Sequence, residues 1–138
     1  MTRRWLQVVP LMALVTLVGC IRAQADEESL RASFAEQIAT SDFVTDFTGD
    51  GDEFRFFGPD GEDGTTAWRV GIDSSLVEPN ESDEAMPYQG RITSEWYANG
   101  EIVEYLGTMT ALPQEFLDRG LGQECSAYWV EAERRWDW

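Results

Sequence analysis

Between residues 42 and 130 the apolar side chains recur at every second position, and the runs are cut by four acidic turn segments, TGDGDE, GPDGEDGTT, EPNESDEAMP and ANGE. A period of two sends successive side chains to opposite faces of an extended chain, so each run has one face for a core and one for water. Phe, Trp, Tyr, Val and Ile suit such half-buried strands. Parallel neighbours would need crossovers of a dozen residues or more, and the short turns here leave only antiparallel pairing. Strands are expected near 43–47, 53–57, 66–74, 89–98, 101–110 and 124–130. The acidic stretch 78–87 is expected to be a mobile insertion.

Residues 26–41 break this period. Leu30, Phe34 and Ile38 stand at i, i+4 and i+8 with charged residues between them, the spacing of one helical stripe. Residues 113–119 read as a short second helix, opened by Pro113 and closed by Gly120. The tail EAERRWDW is ambiguous, since Ala, Glu and Arg favour helix while Trp136-Asp137-Trp138 alternates like an edge strand. The expected fold class is α+β, with an N-terminal amphipathic helix on a curved antiparallel meander of five to seven strands, or a half-open barrel that the helix plugs.

Asn99-Gly100 is the strongest short hairpin signal and favours a two-residue type I′ turn. That turn sets a register in which Ala98 faces Glu101, Trp96 faces Val103, Glu95 faces Glu104 and Ser94 faces Tyr105. The Trp96 and Ser94 side is apolar enough to be the core face. Two carboxylates directly opposed, with Cβ atoms ~5 Å apart, repel each other. Such a pair suits a cation site or a retaining glycosidase, whose carboxyl groups lie ~5 to 5.5 Å apart; as plain surface, both side chains splay into water. The run 46–57, DFTGDGDEFRFF, partly fits a calcium loop, but its twelfth position is Phe57 where a bidentate Glu is required, and an acidic hairpin turn is the reading that remains.

The chain has 138 residues, no His and no Lys, so all ten basic residues are Arg against 26 acids. Without imidazole or lysine amine, a Ser or Cys nucleophile has no usual activator, no Schiff base forms, and His/Cys zinc sites lack ligands. From Cys20 onward eight Arg face all 26 acids, a net charge of −18. Such a surface repels phosphate backbones, which argues against nucleic acid partners and favours cationic ones. No cofactor is indicated.

The first 19 residues read as an exported leader. Arg3 and Arg4 precede a mostly Leu and Val run over residues 5–18. At ~1.5 Å per residue those 14 residues reach ~21 Å, short of the ~30 Å hydrocarbon core, as in a signal peptide rather than a permanent span. The run ends in Leu17-Val18-Gly19-Cys20, which resembles the lipobox of bacterial lipoproteins. The resemblance implies a diacylglycerol on the Cys20 sulfur, cleavage just before it, and usually an acylated new amino group. A second cut fits after Ala25, at Ala23-Gln24-Ala25, and would yield a secreted protein without Cys20; a Cys abutting an apolar leader favours the first. By the same resemblance, Ile21 in place of Asp leans towards the outer membrane. Thr2-Arg3-Arg4-Trp5-Leu6 also partly resembles a twin-arginine signal, although so apolar a leader favours unfolded export. The chain thus divides into a signal peptide at 1–19, a lipid-anchored N-terminus at 20–25 and one mature domain at 26–138.

With Cys20 alkylated, Cys125 is the remaining thiol. It alternates with Ala127 and Trp129 on one strand face, as a buried structural residue does, and an intermolecular bridge is the alternative. Trp68, Trp96 and Trp129 are expected in the core. Trp136 and Trp138, at the end of the chain, are expected to be exposed and, with Trp96 and Tyr97, are the candidates for a ligand platform. The expected function is a non-catalytic binding or accessory module held on the cell envelope, its acidic face towards a cationic protein or a glycan. The rivals are a small hydrolase using Glu95 and Glu104, and a structural envelope protein without ligand.

Overall fold

The computed structural model describes residues 23–60, 64–105 and 112–138. In chain order the elements are helix α1 (Glu27–Ala39), strands β1 (Thr45–Asp50), β2 (Glu53–Pro59), β3 (Thr65–Pro79), β4 (Tyr88–Ala98) and β5 (Glu101–Ile102), helix α2 (Gln114–Asp118), and strands β6 (Glu124–Val130) and β7 (Arg135–Asp137). Every recorded strand pair is antiparallel. The order across the sheet is β1-β2-β3-β4-β6-β7, with β5 paired to β4 as well. The sheet curls into a half-barrel.

The alternation read from the sequence is the alternation of burial. Phe54, Phe56, Trp68, Val70, Ile92, Trp96, Ala127 and Trp129 face the concave core, and the residues between them face out. Asn99 and Gly100 have φ of 50° and 86°, both positive as a type I′ turn demands. Ala98 pairs with Glu101 and Tyr97 with Ile102, as that turn sets. A further bond, from the Val103 amide to the Trp96 carbonyl at 2.8 Å, keeps the register.

The long strand expected at 101–110 is not seen in full. β5 ends at Ile102, and residues 106–111 lie outside the described residues. The cause of the early end is competition for one edge. The Ser94 amide, which the hairpin would give to Tyr105, donates instead to the Gln123 carbonyl at 2.7 Å, and the Ser94 hydroxyl donates to Gly122 O at 3.0 Å. β5 and β6 therefore meet end to end along β4, with Gln123 at the seam.

Helix α1 begins at an Asp26 cap whose carboxylate accepts from the Ser29 amide at 2.8 Å, while Ser29 Oγ accepts from the Asp26 amide. Glu27 and Glu28 in the first turn complement the helix dipole. Leu30, Phe34 and Ile38, the expected stripe, are fully buried. Each contributes ~1.5 to 3 kcal/mol by leaving water. α2 has five residues and places Phe116 at 5.0 Å from the Trp96 ring, 5.5 Å from Trp68 and 5.3 Å from Phe43.

The ambiguous tail resolves as its strand alternative, β7, in which Trp136 pairs with Trp129. The 78–87 loop begins later than expected: β3 continues to Pro79, and the 80–87 loop closes through Asn80 N–H to Pro87 O at 2.7 Å and Asn80 Nδ2 to Met86 O at 2.8 Å.

Gly90 on β4 is a point of close contact with Leu30 of α1. A Cβ there would lie 2.6 Å from Leu30 Cδ1 and 3.1 Å from Trp136 Cζ3, inside van der Waals contact. Gly90→Ala is expected to destabilise by ~1 to 3 kcal/mol through overpacking. The penalty should shrink in a Leu30→Ala background, where the clashing methyls are gone; a urea-denaturation double-mutant cycle measures this coupling.

Candidate functional site

The residues singled out from the sequence do not converge on one place. Cys20 and the expected leader at 1–19 lie outside the described residues. Glu95 and Glu104 are both exposed, Glu95 on the outer face of β4, where its partner on β3 is Gly71. Trp96 and Tyr97 are neighbours with opposite fates. Trp96 is fully buried among Phe56, Trp68 and Phe116, its Nε1 donating to Ser94 Oγ at 3.0 Å, so its ring offers no open face. Tyr97 points outward, half-buried under the Arg69 guanidinium 3.8 Å above its ring.

The expected exposure of Trp136 and Trp138 is overturned. Trp136 is only 5% exposed and Trp138 is partly buried. The reason is a contact remote in sequence: the end of the chain comes back under α1. Trp136 Nε1 donates to Ser29 Oγ at 3.0 Å and Trp138 Nε1 to Ser33 Oγ at 2.9 Å, while the Trp138 ring lies 5.7 Å from Phe34. Both indoles thus bury their apolar bodies and still satisfy their N–H groups. Trp68 and Trp129 are in the core as expected.

A concavity follows from this arrangement. An open groove of about 660 Å³ runs between α1 and the β6–β7 hairpin, with Ser29, Ser33 and Glu36 on the helix side and Trp129, Arg134 and Trp136 opposite. Its arginines are already engaged. Arg134 reaches the Ala23 carbonyl at 2.7 Å and Glu131 at 3.6 Å, and Arg135 bridges Glu133 at 2.6 Å and Asp137 at 3.5 Å. The two flanking acids raise the Arg135 pKa, first through the Glu133 hydrogen bond. The Ser29 and Ser33 hydroxyls in its wall accept from the Trp136 and Trp138 indoles. Sequence reading missed Arg134, whose role depends on where Ala23 comes to rest.

The segment 46–57 is the β1–β2 hairpin, turning at Gly51 with φ 71°. Among the described residues no cluster of three or more metal-ligating side chains stands together. No helix among them is long and apolar enough to cross a membrane. No protein-family model matches the chain, and neither does any curated protein or solved structure.

Cys125 is a buried free thiol. Burial pushes its pKa from 9.0 up to about 12, against a smaller lowering by the hydrogen bond with the Gly122 backbone. A group whose pKa is raised on folding holds more protons in the native than in the unfolded chain, so stability falls as pH rises from about 9 towards about 12. Urea unfolding at pH 8 and pH 10 should show a loss of roughly 1 kcal/mol that is absent in Cys125→Ala. Native Cys125 should also resist alkylation that unfolding permits.

Proposed function

We propose that this is a lipid-anchored protein of the cell envelope, exported by its leader and held through acylated Cys20, whose folded part is a non-catalytic binding or accessory module. The observation that carries the reading is the lipobox-like Leu17-Val18-Gly19-Cys20 at the end of an apolar leader. Two or three acyl chains, at ~0.8 kcal/mol per buried methylene, anchor a protein essentially for good.

The use of residues 23–25 supports the cut before Cys20 over the cut after Ala25. Ala23 and Ala25 pack against the core, the Ala23 carbonyl accepts from Arg134, and the Gln24 carbonyl accepts from the Asp26 amide and the Ser29 hydroxyl. Cleavage after Ala25 would discard all of these contacts. The finer reading of the fold is a half-open barrel with α1 across its open side. Support for it comes from the burial of Leu30, Phe34 and Ile38 and from the bonds of Trp136 and Trp138 to Ser29 and Ser33.

Binding rather than hydrolysis is supported by the setting of Glu95 and Glu104. Both are exposed, and a glycosidase acid needs a site that keeps its carboxyl protonated near neutrality. The acidic surface points to a cationic protein, with a glycan as the other candidate and no nucleic acid.

Intact mass of membrane-extracted protein should start at Cys20 with added acyl mass, and Cys20→Ser should leave the membrane fraction or retain its leader. Material starting at Asp26 would sink the reading. For the soluble domain, cationic peptides should raise the melting temperature at low salt and lose that effect as salt screens the charges, whereas a scaffold without ligand would respond to neither peptide nor glycan.

A further inference from the structure

Residues 23–25 are part of the fold, so they do not serve as a free spacer. Arg134, which grips the Ala23 carbonyl, sits in the β6–β7 turn at φ 51°, a backbone region that favours glycine. An arginine held there brings a guanidinium to Ala23 and to within 5.7 Å of the Trp129 ring, which a glycine would not do. Consecutive Cα atoms are ~3.8 Å apart, so the chain from Cys20 to Ala23 spans at most ~11 Å. The point of departure from the domain is fixed, and the reach beyond it is short.

That point lies at one end of the sheet. Pro79 pairs with Tyr88 and Tyr88 with Trp129, which brings the 80–87 loop beside the 131–134 turn. The Glu131 amide joins them by donating to Ala85 O at 3.1 Å. β4 runs away from this end for 11 residues, so at ~3.3 Å per residue the Asn99-Gly100 hairpin lies ~30 Å off.

Building on the lipid-anchor reading, we propose that the end of the sheet formed by the 80–87 loop and the 131–134 turn is the pole that faces the bilayer, with Arg134 as the positioning residue that holds it there. The Asn99-Gly100 hairpin, with Glu101, then points away from the membrane. The partner is the lipid surface that carries the acyl chains, with no specific headgroup. Exposed Glu81, Glu84, Glu131 and Glu133 at this pole outnumber Arg134 and Arg135, so anionic headgroups repel it. The covalent reach of ~11 Å is close to the ~8 Å screening length at physiological ionic strength, so repulsion cannot carry the pole far from the surface.

The test uses the acylated protein in phosphatidylcholine vesicles that contain a nitroxide-headgroup lipid, a short-range quencher. A fluorophore is placed on Glu84→Cys or on Glu101→Cys, buried Cys125 being a poor competitor for the label. Quenching is expected to be several-fold stronger at position 84. In Arg134→Gly, which relaxes the backbone and removes the guanidinium, the difference should shrink while the circular dichroism spectrum is unchanged; Arg134→Lys, which keeps a donor, should restore much of it. Protein that floats with the vesicles but shows equal quenching, or stronger quenching at 101, overturns the orientation and leaves the anchor standing. An unchanged difference in Arg134→Gly removes the role of Arg134. Protein that neither floats nor carries acyl mass removes anchor and orientation together.

Discussion

A single curled sheet cannot bury its own concave face, and everything else in this domain follows from how that face is covered. Side chains from both helices join the buried cluster. Near the start of β4, α1 lays Leu30 against the bare backbone of Gly90. Towards the β4–β5 hairpin, Phe116 of the five-residue α2 enters a nest of Phe43, Phe56, Trp68 and Trp96, where edge-on ring contacts add to the area buried. A helix as short as α2 has little stability of its own, so tertiary packing of that one ring must define it. Its C-terminal end is tied to α1 by Gln37 Nε2 donating to Arg119 O at 2.9 Å and by Arg119 Nη2 donating to Gln37 O at 2.9 Å, which links the two helices to each other.

Features set by neighbours along the chain are legible in the residues themselves. The two-residue alternation, the Leu30, Phe34, Ile38 stripe and the register next to the Asn99-Gly100 turn all rest on local geometry and are found in the fold, the register holding as far as Trp96 and Val103. What escapes a reading of the sequence depends on remote encounters. Nothing local says that the end of the chain returns beneath α1, so Trp136 and Trp138 read as free ends when they are covered ones. Nothing near Tyr105 says that Gln123 will claim the Ser94 amide and cut β5 short. The site is less legible than the fold for the same reason. Its candidates are residue types, and types alone do not tell that Trp96 faces the core while Tyr97, one step on, faces out beneath Arg69.

The outer surface is held more loosely than the core. The ion pairs among the described residues, such as Arg91 with Glu78 and Arg69 with Glu53, join side chains that remain partly open to water, and pairs of that kind contribute about 0 to 1 kcal/mol each. With acids in large excess over Arg, their effect is to soften a self-repelling surface. The stability of the domain rests on the aromatic interior, and the surface is left free to set solubility and the sign of a partner's charge.

The sealing of Cys125 has a consequence for where such a chain can live. Beyond the cytoplasm, exposed thiols are drawn into cross-links with neighbours, and many small exported domains rely on such links for their integrity. Among the described residues Cys125 is a free thiol, and the core they form is held by aromatic packing. With its sulfur enclosed beside Ala127 on the β6 face, Cys125 is shielded in the folded state from oxidants and from partner thiols, so the packing around it does not depend on a cross-link through that residue.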